Sequence, residues 1–83
     1  MNTLNEIRMI LDDVLAMGGR AKSFDMDTPL LGAVPELDSM AVVGVVNALE
    51  EHFGFIIEDD EIDGSTFATV GALVEFTDGK TAV

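Results

Sequence analysis

The sequence predicts a small all-α protein, a bundle of three principal helices and one short one. Three observations carry that prediction. The chain has 83 residues and no cysteine, which leaves room for one modest core held by apolar packing alone. Apolar residues recur at helical spacing in three segments. Both prolines and the pair Gly18–Gly19 fall between those segments, where they break regular structure.

The first segment opens on "TLNE" at Thr3–Glu6, which has the form of a capping box. Leu4, Ile7, Leu11, Val14 and Leu15 follow at helical spacing, which predicts a helix from Thr3 to Met17, stopped by Gly18–Gly19. Residues 18–38 hold two prolines and three glycines and read as a long connector, with Phe24, Leu30 and Leu31 as apolar anchors. The second helix runs from Ser39 to His52 or Phe53 and ends at Gly54, which suits a left-handed C-terminal cap. At about 100° per residue, Val42, Val45, Val46, Leu49 and Phe53 form one stripe, the expected core face. Met40, Val43, Gly44, Asn47 and Glu51 lie opposite, where two exposed apolar side chains beside an acidic rim suggest a docking surface. "EDDEIDG" at Glu58–Gly64 has room for a helical turn or the short helix. Thr69 caps a last helix carrying Val70, Leu73, Val74 and Phe76. Residues 1–78 are expected to form one domain, and 79–83 a flexible tail.

Charge narrows the function. The formal net charge is −12, and Arg8, Arg20, Lys22 and Lys80 all lie outside the acidic stretch Glu36–Asp78. Such a block repels nucleic acid and anionic membranes and attracts basic protein surfaces. No stretch reaches membrane-spanning length, and the N-terminus lacks the basic start of a secretory signal, so the expected location is the cytoplasm.

Ser39, directly after Asp38, has three readings: a helix cap, a catalytic nucleophile, or a point of attachment. A nucleophile needs a base within hydrogen-bond reach. The single histidine, His52, stands thirteen residues along the same helix, roughly 20 Å away at about 1.5 Å per residue. It reads as a solvated helix residue. Asp59, Glu61, Asp63 and Gly64 suggest a calcium loop, but its twelfth position is Val70, which has no carboxylate. One histidine and no cysteine leave no structural zinc site. The pairs Asp12–Asp13 and Glu50–Glu51 have no evident cleft and read as solvated, so no catalytic residue and no metal ligand is assigned. Asp38 caps as well as Ser39 does, which frees the serine hydroxyl to carry a group, and a helix N-terminus tolerates a phosphate there.

"LDSM", followed by "VVNALEEHFGFIIEDDEI" and then "FATVGALVEF", resembles the acyl carrier protein family. The resemblance covers Thr28 to Phe76, while the first helix agrees only in placement and apolar spacing. It implies a four-helix bundle of acyl-carrier type whose motif serine, here Ser39, receives phosphopantetheine from coenzyme A through a phosphopantetheinyl transferase. The thiol of that arm then holds acyl groups as thioesters. Asp38 matches the family acid beside the serine, associated with magnesium in the transfer. The interior or acyl-chain side maps onto Val42, Val45, Val46, Leu49 and Phe53, and the side recognised by basic patches on acyl-loading and acyl-transferring enzymes onto Met40, Val43, Asn47, Glu50 and Glu51. The expected working unit is a monomer that inserts into no membrane.

Departures point to a specialised stand-alone carrier, serving polyketide, lipid-modifying or surface-polymer chemistry rather than general fatty-acid synthesis. Ala41 and Gly44 stand where fatty-acid carriers commonly have acids, and Glu58 where a proline is common. Gly44, inside a helix, suggests either close approach of a partner or a tolerated weakness. Peptidyl carriers share the fold and arm but usually have Gly-Gly before the serine, whereas this chain has Pro35-Glu36-Leu37-Asp38, which favours acyl cargo. An unmodified acidic interaction module docking through Met40, Val43 and Glu51 is the alternative from another class.

Overall fold

The computed structural model describes residues 3–81. Three α-helices, α1 (Thr3–Val14), α2 (Ser39–Phe53) and α3 (Val70–Thr81), carry the fold. Two short 3-10 turns, Arg20–Ser23 and Asp59–Glu61, punctuate the connections. The expected short fourth helix is therefore one turn of 3-10 helix. The side chain of Asp63 explains why it stops: its Oδ1 accepts from the backbone N–H groups of Ser65 at 2.9 Å and Thr66 at 3.3 Å. Such local bonds offer the backbone an alternative to the helical ladder.

α1 is three residues shorter than its apolar spacing predicts. Met17 N–H donates to Asp12 O at 3.0 Å and Ala16 N–H to Asp13 O at 3.3 Å, with Ala16 at φ 52°. That is a Schellman ending, closed by an alanine in the left-handed conformation two residues before the glycine that the sequence suggests. Leu15 and Met17 are buried nonetheless, so the apolar period continues beyond the helix. The capping-box residues have long-range partners: Thr3 donates to Asp78 Oδ1 at 2.6 Å, and Glu6 meets His52.

α2 matches its expected bounds, with Gly54 at φ 73° closing it through a bond to Glu50 O. Its buried centre is Val45 and Leu49, while Val42, Val46 and Phe53 are partly buried. The inward face is rotated from the expected stripe toward Ala41 and Ala48, because α2 packs against α1. Gly44 is half-buried, and a Cβ there would lie 3.2 Å from Val14 Cγ1. The close approach at Gly44 is thus to α1, which corrects its placement on the docking face.

The connector is docked, not loose. Leu30 and Ala21 are fully buried, whereas Leu31, expected as an anchor, is 46% exposed. Its backbone caps α3: Val70 N–H donates to Thr28 O at 2.9 Å and Gly71 N–H to Met26 O at 2.8 Å. Leu30 and Leu31 N–H in turn donate to Ala68 O and Phe67 O, around an isolated bridge between Pro29 and Thr69. Thr69 Oγ1 accepts from Ala72 N–H at 3.0 Å, the cap read from the sequence. These bonds satisfy donors that a helix start leaves unpaired.

α1 lies against both α2 and α3. Ile7, Leu11, Leu30, Val45, Leu49, Val70 and Leu73 are fully buried between them. α3 runs to Thr81, beyond the expected start of the tail, and Lys80 Nζ pairs with both oxygens of Glu61 at 2.8 and 3.0 Å. The rest of that tail, Ala82 and Val83, lies outside the described residues.

Among the described residues three carboxylates sit below their ordinary pKa. The Lys80 ammonium holds Glu61 down, the Arg20 guanidinium Glu36, and the Ser65 hydroxyl Asp63, with backbone donors adding to each. The unfolded chain therefore binds protons more readily than the folded one at these groups. Their stabilisation is full above the ordinary carboxylate value of about 4 and is lost as pH falls through the lower folded values. Relief of repulsion among the acids acts in the opposite direction, so the informative quantity is a difference. Asp63→Asn, which cannot titrate, is expected to be less stable than the native chain at neutral pH, with the gap closing below about pH 4 in paired thermal melts. A constant gap would show that Asp63 contributes nothing to acid sensitivity.

Candidate functional site

Ser39 is the first residue of α2 and is exposed. Asp38 is the N-cap, with extended backbone, and its Oδ1 accepts from Ala41 N–H at 2.8 Å. The acid thus performs the capping that the serine could have performed. Among the described residues no hydrogen bond engages the Ser39 hydroxyl. It projects from the positive end of a helix dipole, the place where an attached phosphate is electrostatically favoured.

The segment leading to Ser39 is held from below. Leu37 is buried, with its N–H on Val34 O at 3.0 Å. Arg20 pairs with Glu36 and donates from Nε to Met17 O at 3.1 Å, tying this segment to the turn after α1. Neither Arg20 nor Glu36 carries a sequence signal for that role, since the two are far apart in the chain and the pairing depends on how the connector folds back.

The cap has a measurable role. Asp38→Ala is expected to cost about 1 kcal/mol of stability, within the usual 0.5–2 kcal/mol for an N-cap, whereas Asp38→Asn retains the acceptor and most of that stability. Denaturant unfolding of the two variants checks it, and equal losses would mean that the bond to Ala41 is not what Asp38 contributes.

His52 is not a partner for Ser39. Its Nε2 lies 2.6 Å from Glu6 Oε2 and its side chain is 40% exposed, so it clasps α2 to α1 and is not simply solvated. Of the paired acids, Asp12 accepts from Gly19 N–H at 3.0 Å and Ala21 N–H at 3.2 Å, and Glu50 from Ile57 N–H at 2.8 Å. Both are half-buried and hold loop backbone, which corrects their reading as solvated. Among the described residues no three His, Cys, Asp or Glu side chains converge to hold a metal ion.

The residues expected on two sides of α2 meet in one place. Val42 and Val46 face Ile57 and Ile62 across a cleft of about 370 Å³, with Val43, Asn47 and Glu50 along the same strip of helix. Val45, Leu49 and Phe53 lie outside that lining and serve the core. On the outer surface Met40 is 78% and Val43 56% exposed, and Asn47 and Glu51 are also exposed. Ile56 adds a third exposed apolar side chain, at 73%. It had no signal in the sequence, because nothing in "FII" says which isoleucine turns inward.

An exposed hydroxyl on a helix start whose neighbouring acid is engaged in the cap, with His52 held on Glu6, suits covalent carriage. Comparison with known proteins agrees. The family described by a phosphopantetheine attachment site matches residues 5–77. The solution NMR structure of a holo acyl carrier protein from Nitrosomonas europaea is similar at 48% identity over 100% of both chains, with a TM-score of 0.92. No curated protein matches. The chain belongs to the phosphopantetheine-attachment family of acyl carrier proteins, which hold a covalent arm and are not catalysts. The exposed Ser39 hydroxyl and the phosphate-tolerant helix start fit such a group.

Proposed function

We propose that Ser39 is the attachment point of the phosphopantetheine arm, and that the arm's thiol presents acyl groups as thioesters to partner enzymes. The free hydroxyl of Ser39 on a helix already capped by Asp38 carries this reading. In the transfer the Ser39 oxygen forms the new bond to phosphorus and loses its proton, while the nucleotide part of coenzyme A departs. The arm supplies the thiol that this cysteine-free chain lacks.

The outer face of α2 serves as the recognition surface, with Met40 and Val43 giving apolar contact and Asn47 and Glu51 polar contact to enzymes with basic patches. Glu50 contributes less to docking than its type suggests, since its carboxylate is bound to Ile57. We assign the protein to a dedicated pathway outside general fatty-acid elongation, acting as a cytoplasmic monomer. Exposed Ile56 beside the acidic loop broadens the apolar part of the docking surface and so supports a dedicated set of partner enzymes. No described helix is long and apolar enough to cross a membrane.

The test is loading. The protein, converted with coenzyme A, magnesium and a broad-specificity transferase, is offered acyl and aminoacyl donors and followed by intact mass. Acyl thioesters are expected, and exclusive aminoacylation would overturn the reading. Preferred use by the host's general elongation enzymes would overturn the dedicated pathway alone.

A further inference from the structure

The cleft beside α2 is apolar at the end nearer Ser39 and polar at the other. Val42 and Val46 come first along the helix, and Asn47 and Glu50 follow. From Val42 to Glu50 the strip is about 12 Å long at 1.5 Å per residue. At its far end the half-buried Glu50 carboxylate accepts the Ile57 N–H at 2.8 Å, while the Ile57 side chain, 8% exposed, forms the opposite wall. The segment after α2 supplies Ile57 and Ile62 to the cleft, and the Glu50–Ile57 bond pins that segment.

We propose that Glu50 is a specificity-determining residue that ends the cleft and sets the longest acyl chain the protein shelters. The proposal rests on the carrier reading of Ser39. Each methylene laid along Val42 and Val46 removes apolar surface from water and adds stability. A chain that reaches Glu50 must displace its bond to Ile57, leaving a part-buried N–H unpaired and a half-buried carboxylate stripped of its donor, and both are costly. Stabilisation should therefore rise with chain length and then level off. Glu50 acts here through the shape of the cleft and not on the thioester.

The experiment compares melting temperatures of loaded and unloaded protein across butyryl, hexanoyl, octanoyl, decanoyl and dodecanoyl cargo. Subtracting the unloaded value of the same variant removes any general effect on folding. The native chain should level off within the series, and Glu50→Gln, which keeps an acceptor for Ile57, should level at the same length. Glu50→Ala should level at least one two-carbon step later, and its Ile57 amide should exchange about tenfold faster in the unloaded protein. A second series avoids the arm altogether. The chain has no cysteine, so Ser39→Cys offers a unique thiol to alkyl methanethiosulfonates of graded length.

Superimposable profiles for the native chain and Glu50→Ala would overturn the proposal. So would a native profile that climbs through dodecanoyl without levelling, a result that stands even if Glu50→Ala does not fold. Levelling with tethered chains when no transferase modifies Ser39 would sink the carrier reading and leave the limit at Glu50 in place. An arm on Ser39 with unlevelled profiles would do the reverse.

Discussion

Ser39→Ala is expected to abolish the single phosphopantetheine mass increment that the native chain gains with coenzyme A, magnesium and a transferase. The chain has three serines, Ser23, Ser39 and Ser65. Ser23 Oγ donates to Arg20 O at 3.0 Å and Ser65 Oγ to Asp63 Oδ1 at 2.5 Å, so both hydroxyls are engaged in turns. Ser39 alone of the three stands at the start of a long helix with its hydroxyl uncommitted among the described residues. Because Asp38 makes the capping bond, the substitution should leave stability within about 0.5 kcal/mol of the native value. Loss of modification can then be assigned to chemistry and not to unfolding. Ser65→Ala, as control, should gain the full increment. An increment that survives in Ser39→Ala would place the arm elsewhere and remove the basis of the proposed function.

Gly71→Ala is expected to destabilise the fold by roughly 1–3 kcal/mol, the usual range for overpacking. A Cβ on Gly71 would lie 2.6 Å from the backbone oxygen of Met26, closer than real contacts allow. The obstacle is backbone, and that same oxygen accepts the Gly71 N–H at 2.8 Å, so moving it away sacrifices a cap of α3. The gain in helix propensity from replacing glycine, about 1 kcal/mol, does not offset this. For a domain of this size each kcal/mol corresponds to a fall in melting temperature of about 4–8 °C, which calorimetry resolves easily. A melting temperature at or above that of the native chain would show that the connector is free to move aside and that the Met26–Gly71 contact is not a constraint.

These two positions show how differently the site and the fold could be read. Ser39 stood out as a candidate because its signals are local, an acid before it and a helix after it that stops at Gly54, and the family resemblance of "LDSM" chose attachment among its readings. Gly71 did not. It sits inside the helical period of "TVGALVEF", where a glycine reads as a weakness, and its reason lies in Met26, forty-five positions earlier. Gly44 shows the same effect in reverse, as a glycine read as either facing a partner or a tolerated weakness approaches Val14 of the protein's own α1. Asp12, Glu50 and His52 are polar side chains that look solvated on a helical wheel, yet each bonds a group that the chain brings back from elsewhere.

What the sequence by itself determined is the set of features whose cause lies within a few residues. Apolar periodicity placed the three helices, Asp38 and Thr69 marked two of their starts, and the Asp38-Ser39 pair marked the proposed attachment site. Helix propensity, capping and periodicity are interactions between neighbours, so the local sequence suffices to specify them. Only the tertiary structure decided the rest. It closed α1 on Ala16, rotated the inward face of α2 toward Ala41 and Ala48, turned Ile57 in and Ile56 out, and joined Glu50 to Ile57 at the end of the cleft. Those outcomes depend on how three helices share one core, since burial and long-range hydrogen bonds select among backbone arrangements that local preferences leave nearly equal in energy.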